Sequence, residues 1–161
     1  CVVRMITDPI KDFVIEIPLF GALMGLDLGT KTIGVAVSDQ RRTIATGIQT
    51  IKRTKFQQDL KTLELLIEHR EIKGIVIGLP KNMNGTEGRR CQSTRAFAKN
   101  LSITITIPIT FWDERLSTIA AERSLIAANT SRQRRTEVID YVAASFILQG
   151  ALDRLTTLRE S

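Results

Sequence analysis

Histidine, cysteine and aromatic side chains are scarce in this chain, and each scarcity removes a class of chemistry. His69 is the single histidine, and the two cysteines, Cys1 and Cys91, lie far apart with no CxxC pair. A zinc site needs several nitrogen or sulfur ligands, so none is expected, and two distant thiols make no disulfide framework. Serine-triad chemistry lacks a credible base. Aromatic residues are 5% of the chain, so Trp112 reads as core or strand packing rather than as a base-stacking platform. No GxxxxGKS/T phosphate loop occurs. Long apolar runs are missing too, where a membrane span needs about 20 mostly apolar residues. The first 24 residues carry Asp8, Asp12 and Glu16 among short apolar runs and read as neither signal peptide nor span. A cytoplasmic protein with no membrane partner is the expectation.

What is present is an ordinary globular composition, 43% hydrophobic and 25% charged over 161 residues. That length fits one domain, commonly about 100–200 residues. The net charge of +6 is unevenly spread: residues 1–80 hold 11 Lys/Arg against 9 Asp/Glu, residues 81–135 hold 10 against 4, and residues 136–161 hold 2 against 4. The middle third alone carries a surplus equal to the whole. Such asymmetry fits a polyanionic partner, since Lys and Arg that neutralise phosphates release condensed counterions. It also fits a merely basic, soluble surface.

Pro9 and Pro18 bracket a mixed segment, and residues 1–20 read as an extension of uncertain structure ahead of a single domain over 21–161. From there Ala22–Leu28, Thr32–Ser38 and Thr43–Ile51 are apolar or β-branched runs separated by turn residues, which predicts three sequential strands. Phe56, Leu60, Leu63 and Ile67 recur at helical spacing and predict a helix over Phe56–Arg70. Gly74–Gly78 is a short, wholly apolar strand of the kind buried on both faces. A polar loop leads to a helix over about Arg89–Leu101, and the β-branched run Ile103–Phe111 predicts a fifth strand. A helix from Ser117 through Ala128, a basic turn at Arg132, Arg134 and Arg135, and a final helix from about Glu137 to Leu158 complete the order βββαβαβαα. This α/β pattern implies a five-stranded mixed sheet, antiparallel at one side and parallel at the other, flanked by helices.

Three acids sit where packing alone would not put them. Asp27 interrupts the apolar run Leu23–Leu28, although Asp is depleted in strands and an unpaired buried carboxylate is costly. A strand-end Asp opening the turn at Gly29-Thr30 is the plainer alternative. Asp113 and Glu114 follow the fifth strand, and alternation sends them to opposite faces if the strand continues. One would then be a ligand while the other supports or caps, unless Glu114 and Arg115 form only a surface ion pair. Asp140 shares a helical face with Ala143, Ala144, Ile147 and Ala151. Small residues let that helix lie close to a neighbour and press the acid towards the sheet. An acid in a first helical turn, favoured by the helix dipole, is the bland reading. Together these acids fit a site for Mg²⁺ or Mn²⁺, which take oxygen ligands from carboxylates, waters and substrate phosphates.

Four segments, in this order and spacing, carry a resemblance: Gly25-Leu26-Asp27-Leu28-Gly29-Thr30-Lys31-Thr32-Ile33-Gly34-Val35-Ala36, then Gly78-Leu79-Pro80, then Asp113-Glu114-Arg115-Leu116-Ser117-Thr118, then Ile139-Asp140-Tyr141-Val142-Ala143-Ala144. Over about residues 22–155 the chain resembles the YqgF (RuvX-type) family of RNase H-like proteins, described as Holliday-junction-resolvase-like and as nucleases maturing pre-16S ribosomal RNA. The resemblance implies the RNase H-like fold and puts the catalytic, metal-holding role on Asp27, Glu114 and Asp140, with Asp113 as supporting residue or alternative ligand. Two positions depart from the usual pattern: Thr32 stands where many relatives have arginine, and Tyr141 where many have a basic or Met-like residue. The implied reaction is metal-dependent phosphodiester hydrolysis leaving a 5′-phosphate and a 3′-hydroxyl. Two ions about 3.5–4 Å apart with substrate bound would activate a water and stabilise the departing oxygen. Lys31, Arg115, Arg132, Arg134, Arg135, Lys81, Arg89 and Arg90 are the candidates for nucleic-acid contact.

RNA is the favoured substrate, through maturation of the pre-16S 5′ end and association with pre-ribosomal particles. Branched DNA is the alternative, which would favour a homodimer over a monomer. Two other classes compete. The Asp27-Leu28-Gly29-Thr30 hairpin is also similar to the phosphate-binding hairpin of sugar kinases and actin-like ATPases, but those close two lobes over ATP and this chain is too short for a second. A non-catalytic nucleic-acid-binding or ribosome-assembly factor would typically lack one acid, and here all three are present.

Overall fold

The computed structural model describes residues 6–7, 9–116 and 132–160, with the side chains of all but 132–137. A five-stranded sheet organises it: β1 Leu23–Leu28, β2 Thr32–Ser38, β3 Ala45–Lys52, β4 Gly74–Leu79 and β5 Ile109–Asp113, in the spatial order β3-β2-β1-β4-β5. β1 pairs antiparallel with β2 and parallel with β4; β2–β3 is antiparallel and β4–β5 parallel. The mixed sheet expected from the strand pattern is therefore present, with β1 at its centre. Among the described residues no helix is long and apolar enough to cross a membrane.

Alternation along the central strands divides the interior into two cores. Met24, Leu26 and Leu28 of β1, Ile33, Val35 and Val37 of β2, and Ile75, Ile77 and Leu79 of β4 join one apolar cluster. Helices α2 (Phe56–His69) and α3 (Arg89–Thr104) cover it through Leu60, Leu63, Phe97 and Leu101. The other face carries Leu23, Ala36, Val76 and Trp112, packed against Ala143, Ala144, Ile147, Leu148 and Ala151 of the long helix α4 (Arg132–Glu160). The N-terminal segment includes a short helix, α1 (Ile10–Glu16), whose Phe13 is fully buried in this second core. Thr7 reaches β5, its amide donating to the Ile109 carbonyl at 2.7 Å.

Several boundaries shift by one or two residues, and two differ more widely from those the sequence predicts. The β-branched run from Ile103 is not strand throughout: α3 continues to Thr104 and β5 begins only at Ile109. Burying Leu101 and Ile105 on the face that already holds Phe97 and Ala98 outweighs the strand preference of the β-branched residues. The final helix starts at Arg132, so the backbone of Arg132, Arg134 and Arg135 is helix rather than a turn; Arg and Gln are good helix formers. The helix predicted from Ser117 to Ala128 lies outside the described residues.

Candidate active-site face

On the α4 side of the sheet glycines stand at the points where the helix crosses the strands, and that brings the helix down onto them. A Cβ on Gly25 would lie 2.7 Å from Leu148 Cβ and 2.9 Å from the Ala144 carbonyl oxygen. A Cβ on Gly34 would overlap the Asp140 carbonyl oxygen, and one on Gly78 would overlap Ile147. These glycines admit close approach, and the alanines of α4 do the same from the other side.

This contact sets the three acids. Asp27 lies across from Gly34 in the β1–β2 register. Facing residues of an antiparallel pair share a side of the sheet, so its carboxylate is directed to the α4 side. It is only 7% exposed. Asp140 comes down on Gly34 from the helix, and Thr32 Oγ1 donates to its Oδ2 at 2.7 Å. Glu114 opens the 3-10 turn Glu114–Leu116 just after β5. Its Oε1 lies 3.1 Å from where a Gly78 Cβ would stand, again on the α4 side. The register Leu26↔Ile77 makes Gly78 the next residue beside Asp27. One central strand, one turn and one helix thus direct a carboxylate each to the same side of the sheet, at the C-terminal ends of β1 and β4. Among the described residues, no group of three or more His, Cys, Asp or Glu side chains is gathered tightly enough to hold a metal ion. The acids share a face without closing into a cage.

Asp113 has a different setting. It pairs with Leu79 in the β4–β5 register, and both its carboxylate oxygens accept from the Arg115 side chain, the shortest bond being Nη2 to Oδ2 at 2.7 Å. Its Oδ1 also accepts from the Arg115 amide at 3.0 Å. These bonds, led by the guanidinium, hold the Asp113 carboxyl below its ordinary range. Arg115 Nη1 reaches on to the Met83 carbonyl at 3.2 Å, tying the loop between β4 and α3 to the end of β5. This pair therefore braces the turn that carries Glu114.

The predicted basic residues fall into three groups. Lys31 is exposed at the tip of the β1–β2 hairpin, and Arg115 is engaged as above. Arg89 and Arg90 open α3 and line a cleft of ≈ 250 Å³ with Gly29, Thr30 and Arg53. Lys81 lines a second depression, ≈ 230 Å³, beside Asp113 and Leu116. The side chains of Arg132, Arg134 and Arg135 lie outside the described residues.

Two site residues were not singled out from the sequence. Thr32, noted only as a departure from the usual pattern, is the donor to Asp140 across 108 positions. Arg53 donates to the Gly29 carbonyl at 2.6 Å and lies 5.4 Å over the Phe97 ring, which fixes the hairpin end. No local signal marks either; each works through a contact distant in sequence.

A β3-β2-β1-β4-β5 sheet in which only β2 runs against the other four strands, with helices on both sides, is the RNase H-like fold. Among solved structures it matches the Thermus thermophilus RuvC in complex with a Holliday junction substrate, with a TM-score of 0.56 at 8% identity, over 85% of this chain and 97% of that one. At such identity the likeness is one of fold. The sequence defines the family more closely: its profile, described as RuvX Holliday junction resolvase, matches residues 21–154, and the chain belongs to that family. It is 61% identical over 154 residues to a protein of Ruegeria pomeroyi named "Putative pre-16S rRNA nuclease", covering 96% of this chain and all of that protein. A like-named protein of Cereibacter sphaeroides is 60% identical over 154 residues, 96% of each chain.

Proposed function

We propose that this protein is a divalent-metal-dependent endonuclease that cuts RNA phosphodiester bonds, acting in the cytoplasm on the 5′ end of pre-16S ribosomal RNA. The observation that carries this reading is the placing of Asp27, Glu114 and Asp140 on one side of the sheet at the ends of its central strands. The names of the close relatives support the substrate, and the fold supports the chemistry. The functional unit is the single domain over 21–161, with the first twenty residues as its extension.

The donor set fits the metal: three carboxylates and no nitrogen or sulfur ligand suit Mg²⁺ or Mn²⁺. Asp27, Glu114 and Asp140 would hold the metal, which supplies Lewis acidity at the scissile phosphate and lowers the pKa of an attacking water. The protein's own groups prepare that site. Burial of Asp27 keeps bulk water from one side of it. Thr32 fixes the orientation of Asp140, while the Asp113–Arg115 pair fixes the turn that presents Glu114. Neighbouring carboxylates repel one another, a cost that a bound cation would offset. Lys31 and the cleft of Arg53, Arg89 and Arg90 flank the same end of β1 and would steer the backbone of a strand across it. Contacts of that kind position nucleic acid without reading its sequence.

Turnover of a precursor RNA and of a four-way DNA junction, each with Mg²⁺ or Mn²⁺, tests the proposal. Asp27→Asn and Glu114→Gln should each lower RNA cleavage by about a hundredfold or more while leaving RNA binding intact. Equal inertness of wild type and Asp27→Asn on both substrates, with binding preserved, would make the protein a non-catalytic factor. Cleavage confined to the junction would instead support the resolvase reading that the family description favours.

A further inference from the structure

Arg42 is an arginine in an unusual place. It lies in the turn between β2 and β3 with φ 60, a left-handed conformation unfavourable for a non-glycine residue. Its side chain turns inward and is only 6% exposed. Nε donates to the Gly21 carbonyl at 2.7 Å, but buried Nη1 and Nη2 have no hydrogen-bond partner among the described residues. Burial, with the charge of Arg159 nearby, pushes the guanidinium down to about 10, so it remains protonated at neutral pH. A buried, charged donor pair with no acceptor is strongly unfavourable unless something supplies one.

The space beside it has the right character for that acceptor. A cavity of ≈ 250 Å³ is lined by Arg41, Arg42, Thr156 and Arg159 over an apolar floor of Leu152 and Leu155, with Glu160 as its acid. Glu160 is exposed. The Arg159 guanidinium donates to the Leu19 and Pro18 carbonyls at 2.9 and 3.3 Å, two acceptors that carry no formal charge. Among the described residues three arginines and one exposed glutamate line this cavity, and a guanidinium edge whose two Nη groups lack a partner there matches two oxygens of a phosphate.

We propose that Arg42, with Arg41 and Arg159, forms a second binding site, specific for a phosphate group. It lies on the α4 side of the sheet, at the opposite end of that helix from Asp140. Gly21, which anchors Arg42, precedes Asp27 by six residues of largely extended chain, about 20 Å. The site is thus separate from the candidate nuclease centre and does not depend on it. Its phosphate comes either from a free nucleotide or inorganic phosphate, or from the backbone of a bound RNA strand reaching that far.

Calorimetric titration of the full chain at constant chloride, using inorganic phosphate, AMP and a short 5′-hydroxyl RNA in turn, tests this. The expected result is saturable binding of at least one of the three. That affinity should be weakened about tenfold in Arg42→Gln, the loss of a charge-assisted bond pair, and several-fold in Arg41→Gln. Loss for phosphate or AMP identifies a free-ligand site, and loss for the RNA alone identifies a backbone contact. Affinities for all three ligands unchanged in both variants, or no binding of any, overturn the proposal. Should Arg42→Gln fail to fold, Arg41→Gln decides alone, because Arg41 is exposed; wild-type affinity there counts against the site.

Discussion

Replacing Gly34 by alanine should damage stability and catalysis together, because one contact serves both. The added methyl would occupy the space of the Asp140 carbonyl oxygen, which is backbone and has no rotamer to escape into. Either α4 lifts or β2 bows. Overpacking of this kind costs about 1–3 kcal/mol. The Thr32–Asp140 hydrogen bond, 2.7 Å long and two residues away on the same seam, is strained by either movement. Hydrogen bonds to charged groups contribute about 1.5–3 kcal/mol, so its partial loss brings the total to roughly 3 kcal/mol. For a chain of this size each kcal/mol moves Tm by about 2–4 °C, giving a drop of roughly 6–12 °C. Thermal unfolding followed by circular dichroism measures it. RNA cleavage should fall by about a hundredfold, the effect of moving a catalytic group by about 1 Å. Gly88→Ala is the control: the nearest atoms to its added Cβ are 3.6 and 3.7 Å away on the Asn82 side chain, and it should cost no more than about 1 kcal/mol through helix capping. A Gly34→Ala protein melting within a degree of wild type would refute the reasoning, since α4 could not then rest on β2 as described.

Further outcomes follow from the same geometry. Thr32→Val removes the donor to Asp140 and should cost about 1–2 kcal/mol in urea unfolding, with cleavage reduced and RNA affinity unchanged. Asp113→Asn tests the brace behind Glu114. Because Arg115 depresses the Asp113 pKa, its contribution is full above the ordinary carboxylate value of about 3.9 and is lost as pH falls through the lower folded value. The gap in urea midpoint between wild type and variant should therefore be open at about pH 6 and narrow as pH falls below the ordinary carboxylate value of about 3.9; a gap independent of pH would sink the assignment. Cys91 is buried, and burial raises its thiol pKa. Iodoacetamide at neutral pH should leave Cys91 unmodified in the native protein and alkylate it after unfolding, as read by peptide mass spectrometry.

Much of this architecture is written in local pattern. The apolar run Leu23–Leu28, ended by the turn residues Gly29 and Thr30, announced a strand, and Asp27 stood out because the residues around it are apolar. The spacing of Phe56, Leu60 and Leu63 placed α2 within a residue of its end. Where the pattern misled, a longer-range term decided. Ile103–Ile107 is β-branched, yet part of it finishes α3 because Leu101 and Ile105 complete a face begun by Phe97. The alternation argument at Asp113 and Glu114 separates two adjacent acids, but it could not say which of them Arg115 would take. That depended on the 3-10 turn, for which three residues offer no periodicity. Thr32 and Arg42 were beyond reach for a different reason: their significance lies in what they touch, or fail to touch, on segments remote in the chain.

The seating of α4 on bare backbone has a consequence for how this protein can change. Where two elements meet through side chains, a larger residue on one can be answered by a smaller one opposite, and spacing drifts over many generations. Between Gly34 and the Asp140 carbonyl there is nothing left to trim. At this point the height of the helix above the sheet is set by main chain, and with it the reach of the carboxylate it carries. Lengthening that acid to glutamate would push its oxygens outward by one methylene with no retreat available, so the position tolerates neither a longer acid nor a gradual route towards one.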